Sequence, residues 1–154
     1  AQHHAGIVAL LTAESEVGQA LLTGKSHQAD ALLRPWRAIF DRYLGIAVTS
    51  HLEKSKLSLT TAQAARLLSW SREASLPVVL TNAVRYASSD QAKVADLLDS
   101  ARLLVPLNSR HIVGNSPQGF LKDAKQMHHV AREICHQAGE RDAYKLMRDT
   151  QHLA

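Results

Sequence analysis

Three short apolar runs constrain this chain more than anything else in it: Gly6 to Thr12, Tyr43 to Thr49 and Leu76 to Asn82. Each has strand length, and the segments between them carry helical periodicity. Continuous apolar character suits strands of a parallel sheet, because crossover helices bury both faces. Glu16 to Leu22 reads as a short helix ended by Gly24. His27 to Asp41 places Leu32, Leu33, Trp36, Ile39 and Phe40 at three- and four-residue steps, with Pro35 a kink or restart. Thr60 to Ser75 opens on the capping-box pair Thr60 and Gln63 and sets Ala64, Leu67, Leu68 and Ser71 on one face. Strand, helix, strand, helix, strand predicts parallel βαβ units with right-handed crossovers, an α/β fold.

After Asn82 the texture changes. Ser88 and Gln91 cap a helix that carries Val94, Leu97, Leu98, Ala101 and Leu104 toward Pro106. A polar loop runs from Asn108 to Gln118. Asp123 caps a helix through Met127, Val130 and Ile134 to Gly139, and a last helix starts near Asp142. The final third is therefore expected to be all helical.

In α/β sheets, chemistry sits just past the carboxyl ends of the strands. Asn82 to Arg85 stand there, and on a continuing strand Ala83 and Arg85 would project to one side. A metal or acid–base site wants Asp, Glu or His at such a pair. Here one position is a methyl group and the other a permanent cation. His51 follows the second run and is expected at the same end of the sheet.

Other clusters have plainer readings. His129 and His136 are two helical turns apart, about 10 Å, too far for one zinc, so His128, His129 and His136 read as exposed and Cys135 as buried. Glu14 and Glu16 complement a helix N-terminus. Trp36 and Trp70, at helical spacing beside leucines and alanines, read as core or interface anchors rather than base-stacking platforms. Ser50 beside His51 is a sequence neighbour without a nucleophile elbow. Gly114 to Gly119 lacks the Lys and preceding strand of a phosphate loop.

The chain has 154 residues, the size of one domain, with 45% hydrophobic and 21% charged residues. No apolar run approaches the roughly 20 residues of a membrane span, and nothing at the N-terminus reads as a signal peptide. The single cysteine, Cys135, excludes an intrachain disulfide framework and fits a reducing cytoplasm. The net charge of +4 is spread without runs, which favours a solvated surface over a dedicated nucleic-acid patch.

The stretch Pro77-Val78-Val79-Leu80-Thr81-Asn82-Ala83-Val84-Arg85 resembles the fourth metal motif of the polymerase-and-histidinol-phosphatase (PHP) domain of bacterial C-family DNA polymerases, the polymerase III alpha subunits. The family pattern reads Pro-Val-Val-Ala-Thr-Asn-Asp-Val-His, and its Asp and His bind metal. This chain keeps Pro77, Val78, Val79, Thr81, Asn82 and Val84 and replaces both ligands with Ala83 and Arg85. The wording from Leu80 to Tyr86, followed by Ala95 to Arg102, resembles the error-prone, translesion branch in actinobacteria. Further matches are Gly6 to Leu10, Glu16 to Leu22, Leu103 to Leu107, Gly119 to Lys122, Met127, Asp149-Thr150 and Leu153-Ala154.

The resemblance implies part of a distorted (β/α) barrel with parallel strands over residues 1–107, and a helical exit segment over 108–154 leading to the polymerase core. It implies a degenerate metal pocket at His51, Asn82, Ala83 and Arg85, with Arg85 hydrogen bonds holding the vestige, and neither catalytic residues nor a bound metal in this part. The His-x-His motif of such domains is absent, since the adjacent His3 and His4 point apart; this and the lack of a starting Met suggest a piece of something larger. The expected role is structural: bracing the core of a parent DNA-directed DNA polymerase that uses Mg elsewhere, with the remainder of that chain, DNA through the parent, and replication or repair proteins as partners, and no membrane. One alternative is an active metal-dependent phosphoesterase or 3′–5′ exonuclease. Another is an unrelated α/β interaction module, which antiparallel or non-adjacent strands would favour.

Overall fold

The computed structural model describes residues 6–53, 59–109 and 114–153. His3 and His4 lie outside them, as do residues 110–113 of the expected polar loop. Among the described residues, strands β1 (Ala9–Leu11), β2 (Leu44–Thr49) and β3 (Val78–Thr81) form one sheet in the order β1-β2-β3. Both pairings are parallel, with Leu10 opposite Gly45 and Ala47 opposite Val79. Helices α1 (Glu16–Leu22) and α2 (Ser26–Phe40) join β1 to β2, and α3 (Thr61–Glu73) joins β2 to β3. Three more helices follow: α4 (Ala92–Leu103), α5 (Ala124–Gln137) and α6 (Ala143–Leu153). The described residues thus form a mixed α/β fold with three parallel strands and six α-helices.

The apolar runs overstate the strands. β1 is paired only across Leu44, Gly45 and Ile46, so Ile7 and Val8 fall outside the ladder and are half exposed. β3 ends at Thr81 because Ala83, at φ 45°, turns the backbone out of the extended region. β2, flanked on both sides, is buried from Leu44 to Val48, as a central parallel strand must be. α2 runs unbroken from Ser26 to Phe40, so Pro35 causes no restart. Pro35 is exposed, and the hydrogen bond it forgoes lies on the solvent side.

The caps follow the sequence closely. Thr60 with Gln63 and Asp123 with Gln126 form complete capping boxes on α3 and α5. Ser88 and Gln91 form one on a short 3-10 turn that leads into α4. Gly18 on α1 answers a close approach, because a Cβ there would stand 2.2 Å from the carbonyl oxygen of Thr12.

The C-terminal helices share the core of the sheet. Val130, Ala131 and Ile134 of α5 and Leu146 of α6 are buried in one cluster with Leu68, Val78 and Leu80. α6 also closes the outer edge of β3, where Thr150 Oγ1 accepts the Leu80 N–H at 2.9 Å. Arg72, near the end of α3, donates to Glu140 at 3.2 Å and to Asp149 of α6 at 2.7 Å. These bonds cross from the first half of the chain to its last helix, so the two stretches that differ in sequence texture fold as one packed body.

Candidate functional site at the carboxyl ends of β2 and β3

β2 delivers Ser50, His51, Leu52 and Glu53 to the carboxyl end of the sheet, and β3 delivers Asn82 to Tyr86. The segment 114–122 lies across both. Its backbone pairs with the chain beyond β3: Arg85 N–H donates to Gly119 O at 2.9 Å, and Leu121 N–H to Tyr86 O at 3.0 Å. Gly119 makes this possible, since a Cβ there would meet the Tyr86 hydroxyl at 3.1 Å and His51 Cε1 at 3.4 Å.

His51 and Asn82 meet at the centre. His51 is 6% exposed, and its Nε2 lies 2.9 Å from the backbone carbonyl of Asn82. A carbonyl only accepts, so this contact assigns the proton to Nε2. Burial, reinforced by the nearby Lys122 ammonium, pushes the His51 imidazole below its ordinary pKa, against the Asn82 bond and the charge of Glu53. The buried Asn82 side chain donates through Nδ2 to the carbonyls of Gln118 at 2.9 Å and Phe120 at 2.7 Å. Its Oδ1 accepts from Lys122 Nζ at 3.2 Å. Lys122 also donates to the Gln118 carbonyl and lies 4.3 Å from the centre of the Phe120 ring. Burial lowers the Lys122 pKa.

Ala83 and Arg85 stand elsewhere. Ala83 is exposed at its positive φ, so strand alternation no longer relates it to Arg85. The Arg85 guanidinium reaches α4 and the 114–122 segment, donating to Asp99 at 3.0 and 3.2 Å and to Asn115 Oδ1 at 2.5 Å. The structure therefore brings His51 and Asn82 together and turns Arg85 to other partners. The cation beside His51 is Lys122, which the motif reading missed; its only sequence signal was the Gly119-Phe120-Leu121-Lys122 match.

The polar atoms here are engaged with one another. Glu53 Oε1 accepts from Ser116 Oγ at 2.8 Å, Ser50 Oγ lies 2.9 Å from Thr61 Oγ1, and the Tyr86 hydroxyl donates to the Ser116 carbonyl. General acid–base chemistry needs a titratable group directed at a reacting atom, whereas His51 Nε2 is directed at the protein's own backbone. Beside this lock, a cleft of about 820 Å³ is lined by Glu53, Thr60 and Thr61 and, from α5, by His129, Glu133 and His136. His129 Nδ1 is 4.0 Å from Glu133 Oε1. Among the described residues, no group of three His, Cys, Asp or Glu side chains is placed to hold a metal ion.

Cys135 is buried, as expected, and His129 and His136 are exposed. His128 differs: it is half-buried against Tyr144, with ring centres 4.3 Å apart. Trp70 is buried and donates to Asp30 at 3.1 Å, and the half-buried Trp36 stacks on Phe40 and donates to Glu16 at 3.0 Å. Both tryptophans are packing anchors, and Glu16 has a side-chain partner beyond its place at a helix start.

No helix among the described residues is long and apolar enough to cross a membrane. No protein-family model matches the chain. Over 89 residues the chain is 35% identical to the DNA polymerase III subunit alpha of Pseudomonas aeruginosa. The match covers 55% of this chain and spans 7% of that relative's length. By sequence, the chain is similar to a small portion of a polymerase III alpha subunit.

Proposed function

We propose that this chain is a non-catalytic, structural and interaction part of the PHP domain of an error-prone DNA polymerase III alpha subunit, serving DNA replication and repair by translesion synthesis. In this reading residues 1–107 are the later part of the barrel and 108–154 the helical exit toward the polymerase core. Nucleotidyl transfer and its Mg belong to the parent chain, which also supplies contact with DNA; replication or repair proteins are further partners, in the cytoplasm. The similarity to a polymerase III alpha subunit supports the wider assignment.

The observation that carries the non-catalytic reading is the arrangement around Asn82. Where the resembling motif places two metal ligands, this chain has an exposed methyl group at Ala83 and a guanidinium at Arg85 that pairs with Asp99. Lys122, the neighbouring cation, opposes a divalent ion by Coulomb repulsion. His51, a remaining candidate ligand, directs Nε2 to a backbone carbonyl.

Loading the purified full-length parent chain with zinc and with manganese, then measuring retained metal by plasma mass spectrometry, tests this reading, because this part alone lacks the His-x-His motif under either alternative. Phosphoesterase and 3′–5′ exonuclease assays on the same samples complete it. Substoichiometric metal without hydrolysis is expected. One firmly retained ion per chain with metal-dependent hydrolysis would restore the phosphoesterase alternative.

A further inference from the structure

Helix α4 is amphipathic in the inverse sense. Its inward stripe, buried or half-buried, is Ala92, Ala95, Asp96, Asp99 and Ser100, at steps of three and four residues. The outward stripe is Val94, Leu97, Leu98 and Ala101, with Leu97 54% and Leu98 64% exposed. Polar bonds anchor the inner side: Asp96 accepts from the Asn115 backbone at 2.7 Å and from its side chain at 2.8 Å, and Asp99 accepts from Arg85. The leucines are thus held outward by charge-assisted bonds on the opposite face. Leu104, at the helix end and 91% exposed, extends the stripe.

We propose that this outward face of α4 docks an amphipathic helix of a partner protein whose apolar stripe is edged by carboxylates. The positions 94, 97, 98, 101 and 104 have the spacing of a helix-pairing seam. Lys93 and Arg102 lie at about 100° and about 80° on either side of Val94, so both edges of the seam are basic. The Arg102 side chain is 75% exposed and lies 3.7 Å from Asp99. Asp90, at the start of the seam, accepts from the Ser88 hydroxyl at 2.5 Å. Like-signed edges select the occupant. Pairing α4 with α4 of a second copy, in either direction, would set basic edge against basic edge, whereas a glutamate-edged helix complements both. Under the polymerase reading the remainder of the parent chain is the competing occupant, and loss of peptide binding in the intact parent chain would assign the face to that remainder and overturn the proposal.

A fluorescently labelled synthetic heptad peptide with Leu at a and d and Glu at e and g is the probe, titrated against the full chain by anisotropy. Saturable binding is expected. It should weaken about tenfold or more in Leu98→Asp and in Lys93→Glu, whose side chains are exposed, with circular dichroism unchanged. A peptide with Lys at e and g should not bind. Failure of the Glu peptide to bind, or equal binding of both peptides, overturns the proposal. So does a dimer of the chain in sedimentation that Leu98→Asp dissolves, which would make a second copy the occupant. Binding of the chain to anionic lipid vesicles that the Glu peptide cannot displace would equally overturn it, in favour of a membrane surface.

Discussion

The Asp99 carboxylate accepts both terminal nitrogens of Arg85, at 3.0 and 3.2 Å, and also the side-chain amide of Asn115 at 3.1 Å. Arg85 thereby ties the chain beyond β3 to α4 and to the segment that crosses the sheet ends. A cation at the position where the resembling motif has a metal ligand does architectural work here, fixing which face of α4 meets solvent.

That pairing has a titration signature. Hydrogen bonds from Arg85, then from Asn115, hold the Asp99 carboxyl below its ordinary pKa. Its contribution to stability is therefore present above the unfolded value, about 3.9, and is lost as pH falls through the lower folded value. In Arg85→Ala the Asp99 pKa should rise toward that ordinary value, as read by carbon NMR of the carboxyl, and amide exchange should quicken across α4. An unmoved Asp99 titration would show that the guanidinium is not its partner in solution.

His51 gives a pH dependence of the opposite origin. Burial lowers its folded pKa, with Lys122 adding to the effect, so the ring stays neutral when the unfolded imidazole takes up its proton. Stability is complete above the unfolded value, about 6.5, and declines as pH falls toward the folded value, below which the loss is constant. Urea midpoints should drop between neutral and mildly acidic pH, and His51→Gln should show a smaller drop. An identical pH profile in the variant would assign the decline to other histidines.

Ala83 holds a left-handed backbone at φ 45° without a side chain suited to it. That conformation costs an L-residue roughly 1–2 kcal/mol, from which the extra unfolded-chain entropy of glycine subtracts roughly 0.5–1. Ala83→Gly should therefore stabilise the chain by about 0.5–1 kcal/mol in denaturant unfolding. Destabilisation would mean that the chain does not turn at this residue.

Thr150→Val keeps the shape of the side chain and removes the acceptor for the Leu80 N–H, leaving that donor without its partner at the edge of β3. The expected cost is about 1–3 kcal/mol, with faster hydrogen exchange at the Leu80 amide in particular. If that amide exchanges no faster in the variant, α6 does not seal the sheet edge.

Local chemistry alone determined the order and type of the elements. Pro77 and the apolar runs mark the strands, while Thr60 with Gln63 and Asp123 with Gln126 mark helix starts by reciprocal bonds between residues three apart. Strand length was not legible, because a ladder ends where its neighbour ends: Ile7 is as apolar as Leu11 but faces no partner. The site divided in the same way. Its location past β2 and β3 follows from topology, and the absence of ligand chemistry at Ala83 and Arg85 is written in their side chains. Whether Arg85 or Lys122 stands beside His51 depends on a turn at Ala83 and on bonds spanning some 40 positions, such as Lys122 to Asn82. The outward leucines of α4 show the same limit. Periodicity reports that a helix has an apolar face, but only the polar anchors Arg85 and Asn115, brought up from distant segments, decide which way that face points.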